Sequence, residues 1–155
     1  MPDYRERLWP TPWIYLISLL LIPSSILVLA PVSVPAGVAT GLLMYAAVAG
    51  SLTLTAPVIE VSGGILRAGR AEVPLDLVGD AVPAVGDAAR IERGTGLDAR
   101  AFLVIRGWIR DVVKVPITDA ADPAPYWLVS TRHPNELAAA INEGSRRPEV
   151  EEERA

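Results

Sequence analysis

The sequence predicts two membrane-spanning helices followed by a small, mostly-β domain, a barrel or sandwich with one C-terminal helix. Leu8–Ile59 is a run of 52 residues without a charged side chain or histidine. At 1.5 Å per residue it gives about 78 Å of helix, enough to cross a hydrocarbon core of about 30 Å twice. From Pro57 onward, short apolar runs alternate with glycine-containing turns, which is typical of strands.

The distribution of charge divides the chain into parts of different character. Charged side chains occur only in residues 1–7 and from Glu60 onward, and the net charge is −4. We expect a cytosolic leader at 1–10, a two-helix transmembrane hairpin at 11–56, the β domain at 57–144 and a disordered acidic tail at 145–155. The chain has no cysteine and one histidine, which argues against disulfides, thiolate chemistry and most metal sites.

The first helix is predicted at 11–29, with Pro12 in its first turn and a kink at Pro23. Trp9, Trp13 and Tyr15 are the amphipathic aromatic residues expected where headgroups meet acyl chains. A cleaved signal peptide is the alternative. The apolar run exceeds the usual core of about 7–15 residues and a second span follows at once, which favours an uncleaved hairpin.

The second helix is predicted at 35–55 and carries small residues four apart, Gly37 with Gly41 and Ala46 with Gly50. Small residues allow two helix backbones to approach closely in lipid. We favour packing against the first helix, with a homodimer interface or docking onto another membrane protein as the alternative.

Cationic residues predict the orientation of the hairpin. Arg5 and Arg7 precede the first helix, Arg67 and Arg70 follow the second, and the loop between the helices has no cation. The positive-inside rule therefore predicts a multi-pass protein of the cytoplasmic (inner) membrane with both termini in the cytoplasm.

The β domain is predicted to contain about seven short strands and one helix. The strands are expected at 58–61, 65–68, 71–75, 81–85, 101–105, 112–117 and 126–131, with 101–105 buried on both faces and 86–100 a loop or short helix. The helix is expected at 134–143, with His133 as N-cap and Gly144 as its end. This order resembles the pleckstrin-homology-like fold.

Four local phrases carry a closer resemblance: Tyr4–Pro10 (YRERLWP), Leu66–Arg70 (LRAGR), Asp98–Val104 (DARAFLV) and Asp122–Arg132 (DPAPYWLVSTR). Together they resemble an actinobacterial family of two-helix membrane proteins known as domain of unknown function 3093. The resemblance spans residues 4–141. It implies a membrane location and topology, and it brings no activity.

The candidate binding segment is basic. Arg100, Arg106, Arg110 and Lys114, with Asp111 as the only acid, give residues 100–114 a charge of +3. We hypothesise that this patch contacts lipid headgroups or a protein partner, with Trp108 at the tip of a hairpin. The alternative is a solvated face with an ordinary turn at Gly107.

The sequence contains no nucleophile elbow, P-loop, dinucleotide fingerprint or metal-ligand spacing, and we expect no catalytic residues, no metal and no cofactor. Nucleic acid is not an expected partner because the soluble part has no net positive charge. The function expected is therefore non-enzymatic binding at the membrane. The alternatives are an accessory subunit that docks onto a larger membrane complex through its hairpin, and a membrane enzyme of unknown chemistry.

Overall fold

The computed structural model describes residues 4–152 of the chain. The chain divides into two compact units. The helical unit is Trp9–Ala56, and the β unit combines the N-terminal residues through Leu8 with the chain from Pro57 onward. The helical unit is thus inserted in sequence between the first and second strands of the β unit.

The helical unit contains α1 (Pro12–Ser18), α2 (Leu21–Leu29) and α3 (Val34–Leu54). The single first helix predicted at 11–29 is interrupted before Pro23, the predicted kink. Pro23 has no N–H to donate to the carbonyl of Leu19, four residues earlier, and its ring crowds that carbonyl. Instead the Leu19 carbonyl accepts a hydrogen bond from the amide of Ile22, only three residues later (3.1 Å). This turn interrupts the α-helical pattern between α1 and α2.

Both helical segments are long and apolar enough, by length and composition, to cross a membrane. Pro12–Leu29 has a mean hydropathy of 2.1 and Val34–Leu54 of 1.6. None of the first segment and 11% of the second is buried within the protein. The helical unit therefore exposes large apolar side chains, including Leu20, Leu27 and Leu43.

Two glycines set the close approach of α3 to α2. A Cβ atom on Gly37 would lie 2.8 Å from the Cα of Ile26, and one on Gly41 would lie 2.7 Å from the Cα of Ile22. Both glycines are buried, so they pack within the hairpin. The second pair behaves differently, because Ala46 is exposed and nothing lies within 4 Å of a Cβ placed on Gly50.

The first sheet is antiparallel throughout and has the order β1-β2-β3-β4: Tyr4–Arg7, Val58–Ser62, Ile65–Ala68 and Ala71–Pro74. Residues 4–7 were predicted to belong to a polar leader, and this is wrong: they form the edge strand β1. Tyr4 pairs with Val61 and Arg7 with Val58. Leu8 follows fully buried in the core, so this part of the leader is integral to the β unit.

The second sheet has the order β5-β7-β8-β6. Its strands are β5 (Val82–Ala84), β6 (Phe102–Val104), β7 (Val112–Pro116) and β8 (Tyr126–Ser130), with α4 (Asp87–Glu92) between β5 and β6 in sequence.

Strand β6 is a parallel edge strand beside β8. The prediction that this run is buried on both faces is wrong, because Phe102 is 37% exposed and Leu103 45% exposed. Strand β8 also separates β6 from β7. Trp108, in the β6–β7 connection, is therefore not at the tip of a hairpin, which corrects the prediction.

The two sheets share one hydrophobic core with the last helix, α5 (Pro134–Glu152). Ile59 and Leu66 come from the first sheet, Val113 and Val129 from the second, and Leu137 from α5. A mostly-β domain with a C-terminal helix is thus confirmed. The described strands form two four-stranded sheets and no closed barrel, so a pleckstrin-homology-like barrel is not confirmed.

Helix α5 does not end at Gly144, which corrects the predicted boundary. A Cβ atom on Gly144 would overlap Cδ1 of Leu75, so this glycine permits close approach to the 3₁₀ turn Leu75–Leu77. The Asn142 side chain also accepts from the Ala81 amide (2.7 Å) and donates to its carbonyl (3.1 Å). The helix continues over 145–152, where the sequence predicts disorder, and residues 153–155 lie outside the described residues.

A buried polar network fastens β1 to the segment after β8. The Glu6 carboxylate accepts hydrogen bonds from the Tyr4 hydroxyl (2.7 Å), the Thr131 hydroxyl (2.6 Å) and the Arg132 amide (3.1 Å). The Glu6 side chain is 10% exposed, so these donors replace the water that the carboxylate loses. Burial, reinforced by hydrogen bonding and charge from Glu6, raises the pKa of the Tyr4 hydroxyl despite the opposing effect of the Thr131 hydroxyl 2.9 Å away.

Enlarging Gly41 should open the hairpin. We expect Gly41→Leu to destabilise the protein by about 1–3 kcal/mol, because the new side chain must displace backbone at Ile22. Thermal unfolding of the full chain in detergent micelles measures the effect. Gly50→Leu is the matched control and should leave the midpoint nearly unchanged. Equal shifts for both variants would contradict the packing described.

Alkaline pH should destabilise the β unit through Tyr4. Because its pKa is higher in the folded state than in the unfolded chain, where it is about 10, this contribution is complete below pH about 10 and is lost as the pH rises further. Unfolding midpoints measured from pH about 8 to about 11 should show a decline that Tyr4→Phe reduces. A slope that is identical in the two proteins would refute the assignment.

Candidate functional site

The structure disperses the basic segment 100–114 over several environments. Arg100 forms an ion pair with Asp98 (3.1 Å), and its side-chain hydrogen bonds lower the pKa of that carboxyl. Lys114 forms an ion pair with Glu92 (2.8 Å), and its ammonium group lies 4.4 Å from the centre of the Tyr126 ring. Both cations are thus engaged by groups of the domain itself.

Arg106 and Trp108 also interact with each other. The Arg106 guanidinium carbon lies 5.9 Å from the centre of the Trp108 ring, within the range of a cation–π contact. Trp108 is half-buried and packs against the main core. Its indole Nε1 is buried and has no hydrogen-bond partner among the described atoms. The Trp108 ring therefore contributes mainly to the packing of the hydrophobic core.

Arg110 lies in a different place, in a cleft of about 540 Å³. Two further arginines line this cleft: Arg90, which lies in α4, and Arg93, which directly follows α4. Gly86, Asp87 and Asp111 complete the lining. The cleft therefore gathers three guanidinium groups and two carboxylates from segments on either side of β6 in the sequence.

Two sets of hydrogen bonds shape the cleft. Nη1 of Arg93 donates to the carbonyls of Ile109 (3.0 Å) and Arg110 (3.1 Å), which fixes the Arg93 guanidinium against the β6–β7 connection. Oδ1 of Asp111 accepts from the amide of Gly86 (3.3 Å), which ties the same connection to the start of α4. Chemically, the arrangement presents planar, permanently charged donors, which suit carboxylate or phosphate oxygens.

A family model described as protein of unknown function (DUF3093) matches residues 3–141. The chain belongs to this family. Comparison with curated proteins returns no match, and comparison with solved structures returns none. The match covers the β unit from β1 into α5 together with the inserted helices, and the family description adds no activity.

Of the three arginines of the cleft, only Arg110 belongs to the basic segment that the sequence indicates as a binding candidate. Arg90 and Arg93 fall in the stretch that the sequence leaves as a loop or short helix. Their spacing of three residues is the signal available, since residues i and i+3 share one face of a helix. Their approach to Arg110 depends on the tertiary structure, which brings α4 to the β6–β7 connection.

Lys114 should act mainly on stability. We expect Lys114→Gln to lower the free energy of unfolding by about 1 kcal/mol, because it removes a half-buried ion pair and a cation–π contact. Unfolding monitored by tryptophan fluorescence measures the change. Arg100→Gln is the matched control and should have little effect, since its pair with Asp98 is exposed. Unchanged stability in Lys114→Gln would contradict the role given to Lys114.

Proposed function

We propose that the chain is an integral protein of the cytoplasmic membrane that crosses the bilayer twice and keeps both termini in the cytoplasm. In this proposal the β domain is a non-enzymatic module that binds lipid headgroups or a protein partner at the membrane surface. The observation that carries it is the helical unit, whose two apolar segments are almost entirely exposed. Water does not favour so much exposed leucine and valine, whereas lipid does.

The flanking sequence supports the orientation and the uncleaved state. Arg5 and Arg7 precede the first helix, and Arg67 and Arg70 follow the second. Strand β1 supports retention of the N-terminus, because cleavage of the first helix as a signal peptide would remove the strand that pairs with β2.

The lining of the cleft supports binding over catalysis. A guanidinium group does not exchange protons near neutral pH, so it is a poor general acid or base. The remaining polar side chains of the cleft are Asp87 and Asp111, and Asp111 accepts a hydrogen bond from Gly86. Binding an anion, as a pleckstrin-homology-like domain does with headgroups, uses the arginines directly.

One observation supports the alternative proposal that the chain is an accessory subunit of a larger membrane complex. Ala46 is exposed on α3, and nothing lies within 4 Å of a Cβ placed on Gly50. A second helix, from a larger complex or from another copy of this chain, would find a small-residue surface there. Co-purification in mild detergent distinguishes this function, because it requires a stoichiometric membrane partner.

Membrane insertion and orientation are tested together by single-cysteine labelling, which is clean because the chain has no cysteine. Val32→Cys lies in the connection between α2 and α3, and Ala120→Cys lies in an exposed loop of the β domain. With an impermeant maleimide on intact cells, we expect Val32→Cys to react at once and Ala120→Cys to react only after permeabilisation.

Alkaline carbonate provides the second measurement on the same two variants. Both should stay with the membrane pellet at full length. Release into the supernatant would overturn insertion, and a shortened chain would overturn the uncleaved hairpin. Labelling of Ala120→Cys on intact cells would overturn the orientation alone.

A further inference from the structure

We infer that the arginine cleft, lined by Arg90, Arg93 and Arg110, binds a phosphate group, carried either by an anionic lipid headgroup or by a small soluble phosphate ester. The inference names the ligand class of the binding module and in that respect rests on the proposed function. It replaces the broader basic segment 100–114 with one defined site.

In the part of the chain that the structure describes, two of the three cations of the cleft have no protein partner. Among the described residues, the side chains of Arg90 and Arg110 make no hydrogen bond or ion pair. Other cations of the domain are engaged, such as Arg67 with Glu72 (3.0 Å) and Lys114 with Glu92 (2.8 Å). The cleft therefore concentrates cationic donors that the fold itself does not use.

The guanidinium group of Arg93 is held in place before any ligand binds. Nη1 of Arg93 is held by two backbone carbonyls, and no other nitrogen of this guanidinium makes a hydrogen bond to the described residues. A fixed guanidinium loses little side-chain entropy when it binds, and its planar fork matches two oxygens of a phosphate. Arg93 thus anchors the site, and Arg90 and Arg110 supply further charge.

The volume and the net charge of the cleft are both compatible with a bound phosphate group. A cleft of about 540 Å³ lies in the usual range for small-molecule sites and accommodates a phosphate with its substituent. Asp111 accepts from the Gly86 amide through one oxygen, and both Asp111 and Asp87 keep a negative charge that opposes an anion. Three cations against two acids leave the lining with a formal charge of +1.

The test uses the full chain in two settings. In neutral detergent, the unfolding midpoint is measured with inorganic phosphate or glycerol 3-phosphate against chloride at equal ionic strength. In nanodiscs, midpoints are compared between pure phosphatidylcholine and an equal mixture with phosphatidylglycerol, without added phosphate. A rise in the first setting that Arg90→Gln and Arg110→Gln reduce identifies a soluble phosphate, because phosphate also stabilises proteins without binding. A rise that is confined to the second setting and reduced by the same variants identifies the headgroup. Either supports the site.

The variants localise the effect. Arg90→Gln and Arg110→Gln should each weaken binding about tenfold, the loss expected for one charge-assisted hydrogen bond. Arg70→Gln, an equal change of charge in the exposed turn before β4, should bind as the parent chain does. Asp87→Asn should bind more tightly because it removes a negative charge from the lining, although it also removes the acidic residue from the first turn of α4.

Several results would overturn the inference. These are an absence of any rise in both settings, an equal loss in Arg70→Gln, and unchanged binding in Asp87→Asn. Because binding in detergent is independent of insertion and orientation, failure here is distinguishable from failure of the carbonate and labelling experiments.

Discussion

The backbone ladder between β1 and β2 is the constraint on which the rest of the structure depends. Arg7 pairs with Val58, and the Leu8 amide donates to the Pro57 carbonyl (2.9 Å), so the chain leaves the sheet and returns to it at adjacent positions. Closing a flexible loop of this length would cost several times RT. An antiparallel helix pair avoids most of that cost because it holds its own ends together. The hydrogen bond between the hydroxyls of Tyr15 and Thr53 (2.9 Å) joins the helices near those ends.

A strand of four residues also needs support from side chains, and the Glu6 network provides it. Burying the Glu6 carboxylate without hydrogen-bond donors would cost free energy of folding. With its donors in place the network contributes little net stability, but removing any one donor leaves a buried group unsatisfied and is destabilising. The hydroxyl of Thr131 donates to Glu6 and also accepts from the amide of His133 (3.0 Å), just before α5. The same few atoms therefore position β1, the end of β8 and the start of α5. This is why strand β1 belongs to the β unit.

The elements that the sequence predicts well are those whose signal is local. The exposed apolar helices, the β2–β3 hairpin and the start of α5 follow from hydropathy, turn glycines and Pro134. What fails depends on distant partners: the edge position of β6 comes from its parallel pairing with β8. In the sequence, Gly144 indicates the end of a helix. The structure shows instead that its missing side chain makes room for Leu75. For the cleft, sequence charge identifies Arg110, but its convergence with Arg90 and Arg93 is tertiary.

The cations of the β unit fall into two groups, those in ion pairs within the domain and those that line the cleft. Arg100 and Lys114 form ion pairs with Asp98 and Glu92, so their charges interact within the domain and would attract an anionic ligand only weakly. Three arginines around one cleft repel one another, and a fold selected for stability alone would pair or disperse them. If the cleft binds a phosphate, as we infer, the anion would reduce this repulsion, and the gain would contribute to its affinity. Next to an anionic leaflet the same cations would gain about 1 kcal/mol each, which makes the membrane surface the setting where such a cleft is most effective.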